Sequence, residues 1–127
     1  SFDEIDLEVI RWNEETEIED LQRIDIGLYP LSEDKWSLGK GGLKVMQYMS
    51  IGVPSVATNH GTACNIISQG ESGFLVNTEE EWIKALKNLI EDGDLRYKMG
   101  VSARKSVVEN YSTNAIERCY LELLEQL

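Results

Sequence analysis

The sequence predicts an α/β fold: a doubly wound parallel sheet of about four strands, with flanking helices and a helical C-terminus. Three observations carry this. Short apolar runs of strand length alternate with helical patterns, which is the sequence order of a parallel sheet. Glycine and proline punctuate nearly every passage between the two. From Thr78 onward the pattern is helical throughout.

The first run, residues 5 to 12 (IDLEVIRW), alternates and then turns apolar, which predicts a strand. Asn13 to Thr16 is a polar connection. Thr16 with Glu19 has capping-box spacing, so a short helix is expected over roughly 17 to 23. Residues 24 to 29 (IDIGLY) predict a buried strand. A polar loop follows and ends in Gly39-Lys40-Gly41-Gly42. The next helix carries apolar Leu43, Val45, Met46 and Met49, with Gly52 as its stop and Pro54 just beyond.

Residues 54 to 58 (PSVAT) predict another short buried strand, and Asn59-His60-Gly61 a turn. Cys64 to Gln69 forms a short helix closed by Gly70, and residues 72 to 76 (SGFLV) the last strand. Thr78 and Glu81 make a second capping box for a helix with Trp82, Leu86, Leu89 and Ile90 on one apolar face. Asp94 is expected to cap a helix running to about Tyr111. Ser112 caps the last, striped by Ile116, Cys119, Tyr120, Leu123, Leu124 and Leu127.

Size and charge bound the function. The 127 residues fit one domain, 1–127, with a single core. Hydrophobic residues make up 42% and charged residues 28%, as in ordinary globular proteins. No apolar run has the length of a membrane span, and the opening residues lack the pattern of a signal peptide. Twelve basic against 23 acidic residues give a net charge of -11, which disfavours nucleic acid and anionic membranes as partners. Acid crowds residues 3 to 20, which reads as a solvated surface, whereas Lys35, Lys40 and Lys44 gather at the loop and helix start. Cys64 and Cys119 have no metal-like spacing, so free thiols in a reducing, cytoplasmic setting are expected.

A strand, a glycine-rich loop and a helix in succession form a cradle for phosphate. The glycines let the backbone approach, N–H groups point outward, and the helix N-terminus favours negative charge. Parallel sheets bind ligands beyond the C-terminal ends of their strands. Three loops are therefore expected to converge there: the glycine loop, Arg11-Trp12 and Asn59-His60-Gly61. Gly39, Lys40, Gly41, Gly42, Leu43 and Lys44 are the candidate phosphate-binding residues. Tyr29, Pro30 and Trp36 are the candidate pocket wall, Trp36 more as a cover than as a stacking ring. Lone His60 is read as structural.

The residues DIGLYPL, Asp34, Lys35-Trp36, Gly39-Lys40, Lys44, Gln47-Tyr48-Met49, Gly52 and Pro54 resemble the donor-binding half of GT-B-fold glycosyltransferases of family 4 (glycosyl transferases group 1). Gly70-Glu71-Ser72-Gly73-Phe74-Leu75, Glu81-Trp82, Met99-Gly100, Arg104 and Tyr111-Ser112 continue the resemblance in order over nearly the whole chain. It implies a Rossmann-like domain and retaining transfer of a sugar from a UDP- or GDP-sugar to an acceptor hydroxyl, as in polysaccharide biosynthesis. It implies no cofactor and no metal. The family's pair of glutamates, one toward the donor sugar and one toward the ribose, falls on Gly39 and Gln47. Gln47 is thus the candidate ribose contact, and the catalytic residues are not assigned. The resemblance also implies that the chain is the later part of a donor domain, that an N-terminal acceptor domain is missing, and that this piece alone does not transfer sugar.

Two other classes fit the length and fold. A response-regulator receiver needs an acidic pair, a phosphorylatable aspartate and a lysine at successive strand ends. The strand ends here carry Tyr29-Pro30, Thr58-Asn59 and Val76-Asn77, so that pattern is absent. A non-catalytic nucleotide-sugar-binding or interaction domain stays open at this point.

Overall fold

The computed structural model describes residues 4–32 and 42–126. In chain order the elements are α1 (Glu17–Gln22), β1 (Gly27–Tyr29), α2 (Leu43–Ser50), β2 (Ser55–Thr58), α3 (Ala63–Ile66), β3 (Gly73–Val76), α4 (Glu79–Glu91), α5 (Gly93–Tyr111) and α6 (Thr113–Glu125). The strands form a parallel sheet in the order β1-β2-β3, with Leu28 beside Val56 and Val56 beside Phe74.

Both faces of the sheet are covered, and successive residues of β2 point to opposite sides. Ala57 joins Val45 and Met49 of α2, Ala63 and Ile66 of α3 and Ala103 of α5 in one core. Val56 joins Val76, Ala85 and Leu89 of α4 and Met99 of α5 in the other. Helix α5 thus serves both layers. It comes so close to the turn after α2 that a Cβ on Gly100 would lie 2.0 Å from the Gly52 carbonyl oxygen. Arg104 of α5 donates to the Ser50 carbonyl, closing the C-terminal end of α2.

Expectations of four kinds are corrected: a strand, two helix caps, the apolar helix faces and the burial of β1. Residues 5 to 12 are not a strand, so the described sheet has three strands rather than four. Alternation makes a strand only where a neighbouring strand supplies partners. Here the segment runs beside α1, where Glu8 pairs with Arg23 at 2.6 Å, and Ile5, Leu7, Val9, Ile10 and Trp12 stay exposed. That pair holds the Glu8 carboxyl below and the Arg23 guanidinium above their ordinary values.

Thr16 does not cap α1 with its hydroxyl. Its own backbone is near helical, and Oγ1 instead donates to Asp20. Asp92 rather than Asp94 caps α5, accepting from the Leu95 N–H at 3.0 Å. The third correction concerns apolar faces. Leu43 and Ile90 are exposed, and so are Ile116, Cys119, Tyr120, Leu123 and Leu124 of α6, where only Ala115 is buried among the described residues.

Fourth, strand β1 is not buried throughout. It lies at the sheet edge, and Leu28 is 47% exposed because α4 covers its face only over β2 and β3. The capping interactions of Thr78 with the Glu81 N–H and of Ser112 with the Ala115 N–H form as expected.

Candidate donor-binding site

The groove beyond the end of β1 is assembled by glycine geometry. Gly42 precedes α2 with φ +69, and a Cβ there would come within 2.8 Å of Ile66 Cδ1. A left-handed, side-chain-free residue is what lets the α2 start tuck against α3. Gly42 at the N-cap has no side chain, and the positive end of the α2 dipole lies at Gly42 and Leu43, both of which line the groove. Strand β1 is set against α2 by a second glycine. A Cβ on Gly27 would meet the Tyr48 ring at 2.3 Å, and the Tyr48 hydroxyl donates to the Leu28 carbonyl at 3.3 Å. Leu31 is tied to the end of β2, its N–H donating to Thr58 Oγ1 at 2.8 Å.

The resulting groove has a volume of about 440 Å³ and is lined by Trp12, Glu17, Tyr29, Gly42, Leu43, Lys44 and Gln47. A second hollow of about 480 Å³ runs along α1 and shares Trp12, Glu17 and Lys44 with it. Together they offer one helix start, one exposed lysine and one exposed indole, at a size ordinary for small-molecule sites. Glu8, Glu17, Asp20 and Arg23 line the same hollows, so an anion would sit at the Lys44 and α2 end, with the carboxylates toward α1.

The sequence-predicted residues divide into three groups. Tyr29, Gly42, Leu43, Lys44 and Gln47 meet in the groove, and Trp12 joins them. Pro30 is exposed and does not line it. Trp36, Gly39, Lys40 and Gly41 lie outside the described residues. The expected convergence of three loops is partial. Asn59 lines a different hollow of about 440 Å³, with Gln69, Asn77 and Glu81 at the β3 edge. His60 is half buried, and its Nε2 meets no partner among the described residues.

Glu17 was not legible as a site residue. It belongs to the acidic stretch that reads as solvated surface, yet its Oε1 accepts from Gln47 Nε2 at 3.1 Å. A contact across 30 positions has no periodic signature in a sequence.

Comparison with known proteins agrees with this architecture. Residues 5–106 match the family described as glycosyl transferases group 1. The chain is 28% identical over 85 residues to a probable sucrose-phosphate synthase of Thermosipho melanesiensis, covering 67% of this chain and 19% of that protein. It is 33% identical over 87 residues to the D-inositol 3-phosphate glycosyltransferase of Corynebacterium jeikeium, covering 65% and 21%. It therefore spans about a fifth of the length of these curated relatives.

Among solved structures, Anabaena Alr3699/HepE in complex with UDP and glucose superposes with a TM-score of 0.69 at 20% identity, covering 86% of this chain and 29% of that one. The C-terminal domain of the Francisella tularensis group 1 protein LpcC gives 0.63 at 28% identity, covering 83% and 53%. Sequence match and shared fold lead to one assignment: this chain belongs to the glycosyl transferases group 1 family.

Proposed function

We propose that the chain is the donor-binding part of a retaining glycosyltransferase, which takes a UDP- or GDP-sugar and passes the sugar to an acceptor hydroxyl bound by an N-terminal acceptor domain. The observation that carries this reading is the groove at the end of β1, where Gly42 and Leu43 at the start of α2, Lys44 and Trp12 line one hollow. A diphosphate seated there would place its oxygens against the first-turn N–H groups, with Lys44 adding charge. Charge that develops on the leaving diphosphate would meet donors already oriented, which is how such sites lower a barrier. The UDP complex of the similar Anabaena protein supports the nucleotide class. The free thiols Cys64 and Cys119 are consistent with a cytoplasmic setting.

Titration with UDP and with GDP, followed by amide NMR shifts, tests the reading. Shifts should concentrate at Gly42 to Gln47 and at Trp12. An unperturbed spectrum at millimolar concentrations of both nucleotides would sink it.

A further inference from the structure

The resemblance places a ribose-binding glutamate at position 47, where this chain has glutamine. The structure shows a carboxylate reaching the same spot from another helix. Gln47 of α2 donates Nε2 to Glu17 Oε1 of α1 at 3.1 Å, both side chains are half buried, and both line the groove beside Lys44 and Trp12.

An ionised carboxylate only accepts hydrogen bonds, so the Gln47 amide must turn its nitrogen toward Glu17. That bond uses one of about four lone-pair sites on the carboxylate. A glutamate at 47 would instead set two carboxylates against each other about 3 Å apart, where both cannot easily stay charged. Gln47 is therefore the residue that Glu17 requires, and the absence of acid at 47 goes together with its presence at 17.

We infer that Glu17 recognises the ribose hydroxyls of the nucleoside diphosphate, with Gln47 holding its carboxylate across the groove. The inference rests on the donor-site reading above and assigns a residue within that site. A cis-diol presents two O–H donors side by side. A carboxylate takes both in charge-assisted bonds, whereas a lone amide oxygen offers only neutral ones. The bland alternative is that the pair merely ties α1 to α2.

Four proteins and two ligands separate these readings: the wild-type chain, Glu17→Gln, Gln47→Glu and the exchanged pair Glu17→Gln/Gln47→Glu, each titrated with UDP and with 2′,3′-dideoxy-UDP. If the wild type binds only GDP, the guanosine pair of ligands is used. Glu17→Gln should weaken UDP binding about tenfold and leave the dideoxy ligand unchanged. Gln47→Glu should also weaken UDP by crowding the carboxylates. The exchanged pair restores one amide facing one carboxylate and should recover most of the loss, as coupled neighbours do.

Equal loss for both ligands in Glu17→Gln, or no loss, overturns the inference. A purely structural tie would lower the thermal midpoint without discriminating the ligands. A wild type that binds UDP no better than dideoxy-UDP defeats the role of Glu17 and leaves the donor site standing. A wild type that binds neither UDP nor GDP defeats both.

Discussion

Single residues set the spacing of the site. Gly27 exists to make room for the Tyr48 ring, and the hydroxyl of that ring reaches the Leu28 carbonyl. Burial pushes the Tyr48 phenol above its ordinary value, against a smaller opposite pull from the Leu28 bond. In the unfolded chain the phenol therefore ionises first. Its contribution to stability is whole below about pH 10 and declines as the pH rises from there through the raised folded-state value. Denaturant midpoints measured from about pH 8 to 11 should fall more steeply for the wild type than for Tyr48→Phe, and parallel curves would refute the assignment. At this scale the sequence marked Gly42 as a loop glycine for phosphate approach, and the structure gives it another reason to be glycine, its left-handed φ of +69 against Ile66. The sequence was silent on Glu17, whose role depends on a partner 30 positions away.

Elements meet through close backbone approach. Helix α5 leans on the turn between α2 and β2 at Gly52 and Gly100, and a Cβ at 100 would strike a main-chain oxygen that cannot swing aside. Gly100→Ala is expected to destabilise the fold by about 3 kcal/mol, the upper end of overpacking costs, read from the shift of a urea midpoint at unchanged slope. The gain in helix propensity from that change, about 1 kcal/mol, works against the loss and is too small to reverse it.

The elements themselves were largely readable, because glycine, proline and capping residues mark their ends. Thr78 and Ser112 cap as their spacing predicts. What misled was alternation in residues 5 to 12, since a local pattern carries no information on whether a neighbouring strand is there to pair with it. Burial misled in the same way: the stripe of α6 is apolar, yet its described residues beyond Ala115 stay exposed.

At the scale of the molecule, three parallel strands sit between two helical layers among the described residues, and β1 is one margin of that sheet. Gly27 donates its N–H inward to the Pro54 carbonyl, so by the alternation of a parallel ladder Leu28 turns its polar groups outward. An outward-facing carbonyl beside an exposed leucine invites a strand from another molecule. The Tyr48 hydroxyl already occupies that carbonyl. A phenol that helps shape the pocket thus also guards the border, and its removal should cost solubility before it costs structure. Tyr48→Phe is expected to scatter light at concentrations where the parent chain stays clear, and adding Leu28→Lys should abolish the effect by setting a charge on the unguarded rim. Clear solutions of Tyr48→Phe at every concentration would show that the rim needs no guard.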